Sequence, residues 1–122
     1  MMDFTLPSSE EAPHIAALER AVEAGFQFTS LADERGLMIT ALYAERWCRV
    51  GVVETIAIRG MKEAIAARIR VEDYPDRDPL WQHAGSVAEV VAELLALPAH
   101  GTAGAPKLAR PSSSSLWFPG RP

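Results

Sequence analysis

The sequence predicts an α+β domain, and three observations carry that prediction. Val50 to Ile58 alternates strictly, with Val50, Val52, Glu54, Ile56 and Ile58 on one side and Gly51, Val53, Thr55 and Ala57 on the other. This period of two in β-branched residues is the mark of a strand. On either side lie segments whose apolar residues recur every three or four positions, the mark of a helix packed along one stripe. After residue 98 the periodicity stops, in a stretch rich in Pro, Gly, Ser and Ala. The expected organisation is therefore one domain over residues 1–98 and a tail over 99–122. Its element order is α-β-β-β-α-α: a small antiparallel three-stranded sheet with the helices mainly on one face.

Taken in order, residues 1–7 read as an arm. Ser8 and Glu11 have the spacing of a capping box, Pro13 is tolerated in a first turn, and Ile15, Leu18 and Val22 form a stripe. With Gly25 as the residue that ends it, a first helix spans about 9–24. Phe26 to Ala32 reads as a strand and 33–36 as a turn closed by Gly36. Leu37 to Trp47 fits strand and helix patterns. A strand is favoured, because two strands alone make a marginal sheet. After the 50–58 strand, Gly60 breaks the pattern. Met61, Ile65 and Ile69 then give a helical stripe running to Val71. Residues 72–85 carry two prolines and three aspartates and read as a loop. Ser86 with Glu89 is a second capping box, opening a helix lined by Val87, Val90, Val91, Leu94 and Leu95 and stopped by Pro98.

The chain's 122 residues suffice for a core without staples. Its net charge of −4 argues against a general nucleic-acid binder. The charge is segregated: residues 1–45 carry −6, 46–98 carry −1, and the tail carries +3 from Lys107, Arg110 and Arg121. A single cysteine, Cys48, excludes an internal disulfide and a Cys-rich metal site, and reads as an apolar filler. The N-terminus lacks the pattern of a signal peptide and no apolar run approaches ~18 residues, so the expectation is a cytoplasmic protein with no membrane contact.

No chemistry-bearing motif emerges. His14, His83 and His100 have no partner at metal-ligand spacing. His14 and His100 read as solvated, and His83 as a loop residue with Asp78 as its nearest acid–base companion. Asp73 to Pro79 alternates carboxylates but lacks the glycine and closing glutamate of a calcium loop. GxSxG and a phosphate-binding glycine loop are both missing. No cofactor is expected.

What the pattern leaves over is aromatic. A three-stranded sheet with helices on one side would leave its other face partly bare, with Phe28, Tyr43 and Trp47 as contact residues. The tail ends in Leu116-Trp117-Phe118, an apolar anchor on a polar approach. The expectation is a non-enzymatic protein–protein interaction or regulatory domain that forms a homodimer. The alternatives are a small-molecule or catalytic pocket using Arg49, Glu54, Asp78 and His83, and, behind it, a DNA-binding regulator presenting Arg46 and Arg49.

Overall fold

The computed structural model describes residues 9–32, 35–36, 39–74 and 78–107. The elements are α1 (Ala12–Glu23), β1 (Gln27–Ala32), β2 (Ile39–Cys48), β3 (Val52–Gly60), β4 (Glu63–Arg70), a 3-10 turn at Val71–Asp73, β5 (Trp81–Gly85) and α2 (Val87–Leu95). The five strands form one antiparallel meander in the order β1-β2-β3-β4-β5. The α+β class is as expected, but among the described residues the sheet has five strands instead of three, and there are two helices instead of three.

The two extra strands come from Met61–Val71 and from the segment read as a loop. The expected second helix is β4. Gly60 faces Glu63 across a two-residue connection, Met61-Lys62, and the chain doubles back in register, with Ile56 opposite Ala66 and Glu54 opposite Arg68. Positions four apart share a face in a strand as well as in a helix, so Met61, Ile65 and Ile69 fitted both. Burial decides between them. Ala64, Ala66 and Arg68 turn toward the helices, while Ile65, Ala67 and Ile69 turn away, and all are buried. A strand covered on both sides shows no polar alternation. β5 pairs with β4 from Ala64 opposite Gly85 to Arg68 opposite Trp81.

Both helices lie on one face. α2 brings Val87, Val90, Val91 and Leu94 onto Ile56, Ile58, Ala64 and Ala66, and each buried Val or Leu contributes about 1.5–3 kcal/mol. Alanines at 64 and 66 let the helix approach the sheet closely. The Ser86 side chain caps α2, its hydroxyl accepting from the Glu89 amide at 3.1 Å, as the Ser-x-x-Glu spacing predicts. α1 is shorter than expected: it begins after Glu11, which makes no side-chain cap bond, and Ser8 lies outside the described residues. Gly25 follows its C-cap with φ 105°, a conformation that suits glycine. His14, expected in solvent, is buried between the helices, where its Nδ1 accepts from the Ala88 amide at 3.1 Å.

The far face has its own core of Tyr43, Val53, Ala57, Ile65, Ala67 and Ile69, with Leu31 and Tyr74 packed against it. Residues 98–107 also pack on the domain: Pro98 accepts from Arg68, and Ala105 is buried. No helix among the described residues is long and apolar enough to cross a membrane.

Candidate functional site

The residues expected to form one contact surface do not share a face. Tyr43 lies opposite Ala57 and Trp47 opposite Val53, so both point away from the helices. Phe28 lies opposite Ala44 and points toward them. Tyr43 is buried and Trp47 is 53% exposed. Tyr74 joins the two: its ring meets Trp47 edge-on at 5.3 Å, its hydroxyl lies 2.7 Å from that of Tyr43, and it donates to Glu45 at 2.9 Å. Burial pushes both tyrosine pKa values up, aided for Tyr43 by the hydrogen bond to Tyr74. Leu116, Trp117 and Phe118 lie outside the described residues.

Phe28 belongs to a different surface. α1 packs on α2 through Ala17 and Ala21, and this tilts its larger side chains outward: Ile15 is 39% and Val22 58% exposed. With Leu18, and with Phe28 and Leu42 from β1 and β2, they line an open groove of about 810 Å³ rimmed by Glu19, Arg20 and Glu23. The helical stripe was legible in the sequence; that its larger members face a groove was not. The spacing of Ile15, Leu18 and Val22 is the same whether the stripe meets the core or its margin.

Among the described residues, the groove runs beside a sheet edge that no further strand covers. β1 pairs only with β2, and among the described residues no other backbone group bonds to Gln27–Ala32. Edge strands are ordinarily blunted by charges or proline. The run QFTSLA has neither, and its one irregularity is a register shift at its last residue.

The polar groups proposed for a pocket stay on separate elements. Arg49 is exposed in the β2–β3 turn and Asp78 is exposed before β5. His83 is on β5 and not in a loop, stacked on Trp81 at 6.1 Å between centroids, with Nε2 2.6 Å from Glu89 Oε2. Its acidic partner is therefore Glu89 on α2, not Asp78. Glu54 is the exception in burial. It is held between Arg46 and Arg68, one on each neighbouring strand: Oε1 accepts from Arg46 Nε at 3.1 Å and from its Nη2, and Oε2 accepts from Arg68 Nε at 2.9 Å and forms an ion pair with its Nη2 at 2.7 Å. Arg46 also donates to the Ala24 carbonyl at 2.8 Å and lies over the Phe26 ring, and Arg68 donates to the Pro98 carbonyl at 2.7 Å. The cluster thus ties the end of α1 and the segment after α2 to the sheet. Arg46 is engaged inward, which removes one of the two cations that a DNA-reading surface required.

Cys48 is half-buried, and burial, together with the Glu54 carboxylate, raises its thiol pKa despite the nearby arginines. Among the described residues no group of His, Cys, Asp and Glu could hold a metal ion. No family model, curated protein or solved structure matches the chain.

Proposed function

We propose that this chain is a non-enzymatic interaction domain that works as a homodimer, with β1 and the α1 groove as its self-association surface. The observation that carries the reading is the contiguity of the two features. An uncharged, proline-free edge strand borders an apolar groove to which it contributes Phe28.

A second copy fits both at once. A two-fold axis beside β1 pairs the strand with its own symmetry mate, continuing the sheet from five strands to ten and satisfying the edge hydrogen bonds. The same operation lays α1 against its mate across Ile15, Val22 and Phe28. It also offers Arg20 of one copy to Glu19 or Glu23 of the other, so the rim is self-complementary in charge. Ala16 keeps the helix surface low enough for close approach. The basic tail beyond Lys107 and the acidic residues of the first helix then lie on partners able to attract one another, an effect that salt screens.

Sedimentation equilibrium on the full chain tests the reading. Val22→Glu places a charge in the groove and Ser30→Lys places one on the edge, both at exposed positions that leave the monomer's core untouched. Each should weaken the dimer, and together they should give a monomer with an unchanged far-UV spectrum. A Glu93→Lys control on the exposed side of α2 should have no effect. A dimer as tight in the double variant as in the parent refutes the assignment.

A further inference from the structure

We infer that the tail, residues 108–122, docks on its own domain and seats Leu116, Trp117 and Phe118 on an apolar patch made by Trp47, Val71 and Tyr74. The patch lies at one end of the far sheet face, away from β1 and the helices, so this inference is independent of the dimer. It is continuous. Trp47 faces away from the helices and is exposed, and its ring meets that of Tyr74 edge-on. Tyr74 packs on the far-face core and caps the 3-10 turn that opens with Val71, its amide donating to the Val71 carbonyl. Val71 is exposed as well, and its own amide donates to the Gly51 carbonyl at 3.0 Å, which holds the turn against the β2–β3 connection. A Trp and a Val left in solvent side by side, at the margin of a closed core, mark an interaction site.

Three observations select the occupant. The first is where the tail begins. The segment leading into it is pinned at the same end of the sheet: Pro98 accepts from Arg68, and Leu97, Ala99 and His100 share a cavity with Val50 and Val52 beside the β2–β3 turn. The second is reach. Trp117 lies ten residues beyond Lys107, which is about 33 Å of extended chain and about 17 Å on average for a flexible one. The N-terminal arm has its own apolar residues, but it starts at the wrong end. Glu10 pairs with Lys62 in the β3–β4 connection, and the nine residues of β3 put the patch about 26 Å away. From Ser9, Phe4 reaches only about 17 Å at full extension.

The third is size. Three anchor side chains bury on the order of 500 Å², since an aromatic contributes about 150–250 Å². That is below the roughly 1,000 Å² needed to hold two separate chains together. A tether changes the requirement, because it presents the anchor at an effective concentration in the millimolar range, where a small apolar contact suffices. Charge agrees with the same placement. Glu72, next to Val71, has a side chain 75% exposed and meets Arg70 only at 3.8 Å, while Arg121 follows the anchor by three residues and supplies a cation that salt would screen.

The test is a NOE experiment on the full chain that reads the Trp117 indole against the Val71 methyls and the Trp47 ring. NOEs from Trp117 to both are the expected result, with an indole N–H as rigid on the nanosecond scale as that of Trp81. Val71→Glu puts a charge on the patch at an exposed position and should abolish these NOEs. Trp117→Ala cannot disturb the core and should shift the Trp47 and Tyr74 signals while leaving those of Ile15 and Val22 in place. A sample mixing labelled and unlabelled chain should show no Trp117 to Val71 NOE between copies. A freely rotating Trp117 indole without NOEs to the patch, NOEs to Ile15 or Val22 instead, NOEs that survive Val71→Glu, or a Trp117 to Val71 NOE between copies overturns the inference.

Discussion

Replacing Glu54 by Gln removes the one negative charge between Arg46 and Arg68 while conserving shape, so no cavity term enters. The side chain of Glu54 is 2% exposed and that of Arg68 3%, whereas Arg46 reaches solvent at 30%. Arg46 can rehydrate; Arg68 cannot. Breaking a buried pair by removing one partner costs about 3–5 kcal/mol, because the other charge stays behind uncompensated. Against a typical domain stability of about 5–15 kcal/mol, that is about a fifth of the total or more. Urea unfolding should show a midpoint lowered accordingly with an unchanged slope. The companion variant Arg46→Met/Glu54→Leu/Arg68→Met should recover most of the loss, since apolar replacement of a whole buried ionic cluster is often neutral or stabilising. A Glu54→Gln cost below about 1 kcal/mol would refute the view that the cluster is a desolvated, mutually dependent unit.

Three further outcomes follow from the geometry. Ser86→Ala deletes the α2 cap and should cost about 1 kcal/mol by thermal or chemical unfolding, with Ser86→Asp close to neutral; an alanine variant as stable as the parent would contradict the cap. The chain's two tyrosines, Tyr43 and Tyr74, share one hydrogen bond and both have raised pKa values. The folded state holds their protons more tightly than the unfolded chain, so this contribution is complete below the unfolded value of about 10 and falls as pH rises above it. Tyrosinate absorbance should therefore appear together with alkaline unfolding, and ionisation of either residue in the folded protein at about pH 10 would contradict the packing. Cys48 should react slowly with a thiol reagent at neutral pH and fully once unfolded, since burial raises its pKa; fast labelling of the folded chain would show an accessible thiolate.

Much of the fold was legible in the sequence because some segments admit a single period. Val52 to Ile58 is dense in β-branched residues, although burial on both faces leaves it no polar alternation, and α2 carries both a capping box and an unbroken stripe. β4 was not legible: alanines favour helix in isolation, and a spacing of four satisfies both periods. What decided it was tertiary, the need for small residues under α2 and apolar ones on the far face. β5 is short and preceded by turn-forming residues, which concealed its alternation of Trp81 and His83. The same error hid the charge cluster. Arg46 and Glu54 lie at equal distances from the β2–β3 turn, and Glu54 and Arg68 come opposite one another across the β3–β4 hairpin once its one-residue bulge between Ile58 and Gly60 is counted. Once both hairpins are placed, the three charges fall in one row. Phe28 falls on the opposite face from Tyr43 for a related reason, because it sits at an odd offset from Tyr43 across the β1–β2 register.

The measurement that bears most directly on self-association through β1 and α1 is an isotope-filtered NOE experiment. The sample mixes labelled and unlabelled full-length chain, after light scattering has given the mass. Twice 13.3 kDa is the predicted mass, with cross-copy NOEs from the Ile15 and Val22 methyls and between backbone protons of facing β1 strands. A mass of 13.3 kDa at every concentration, or cross-copy NOEs that avoid these residues, would contradict the account.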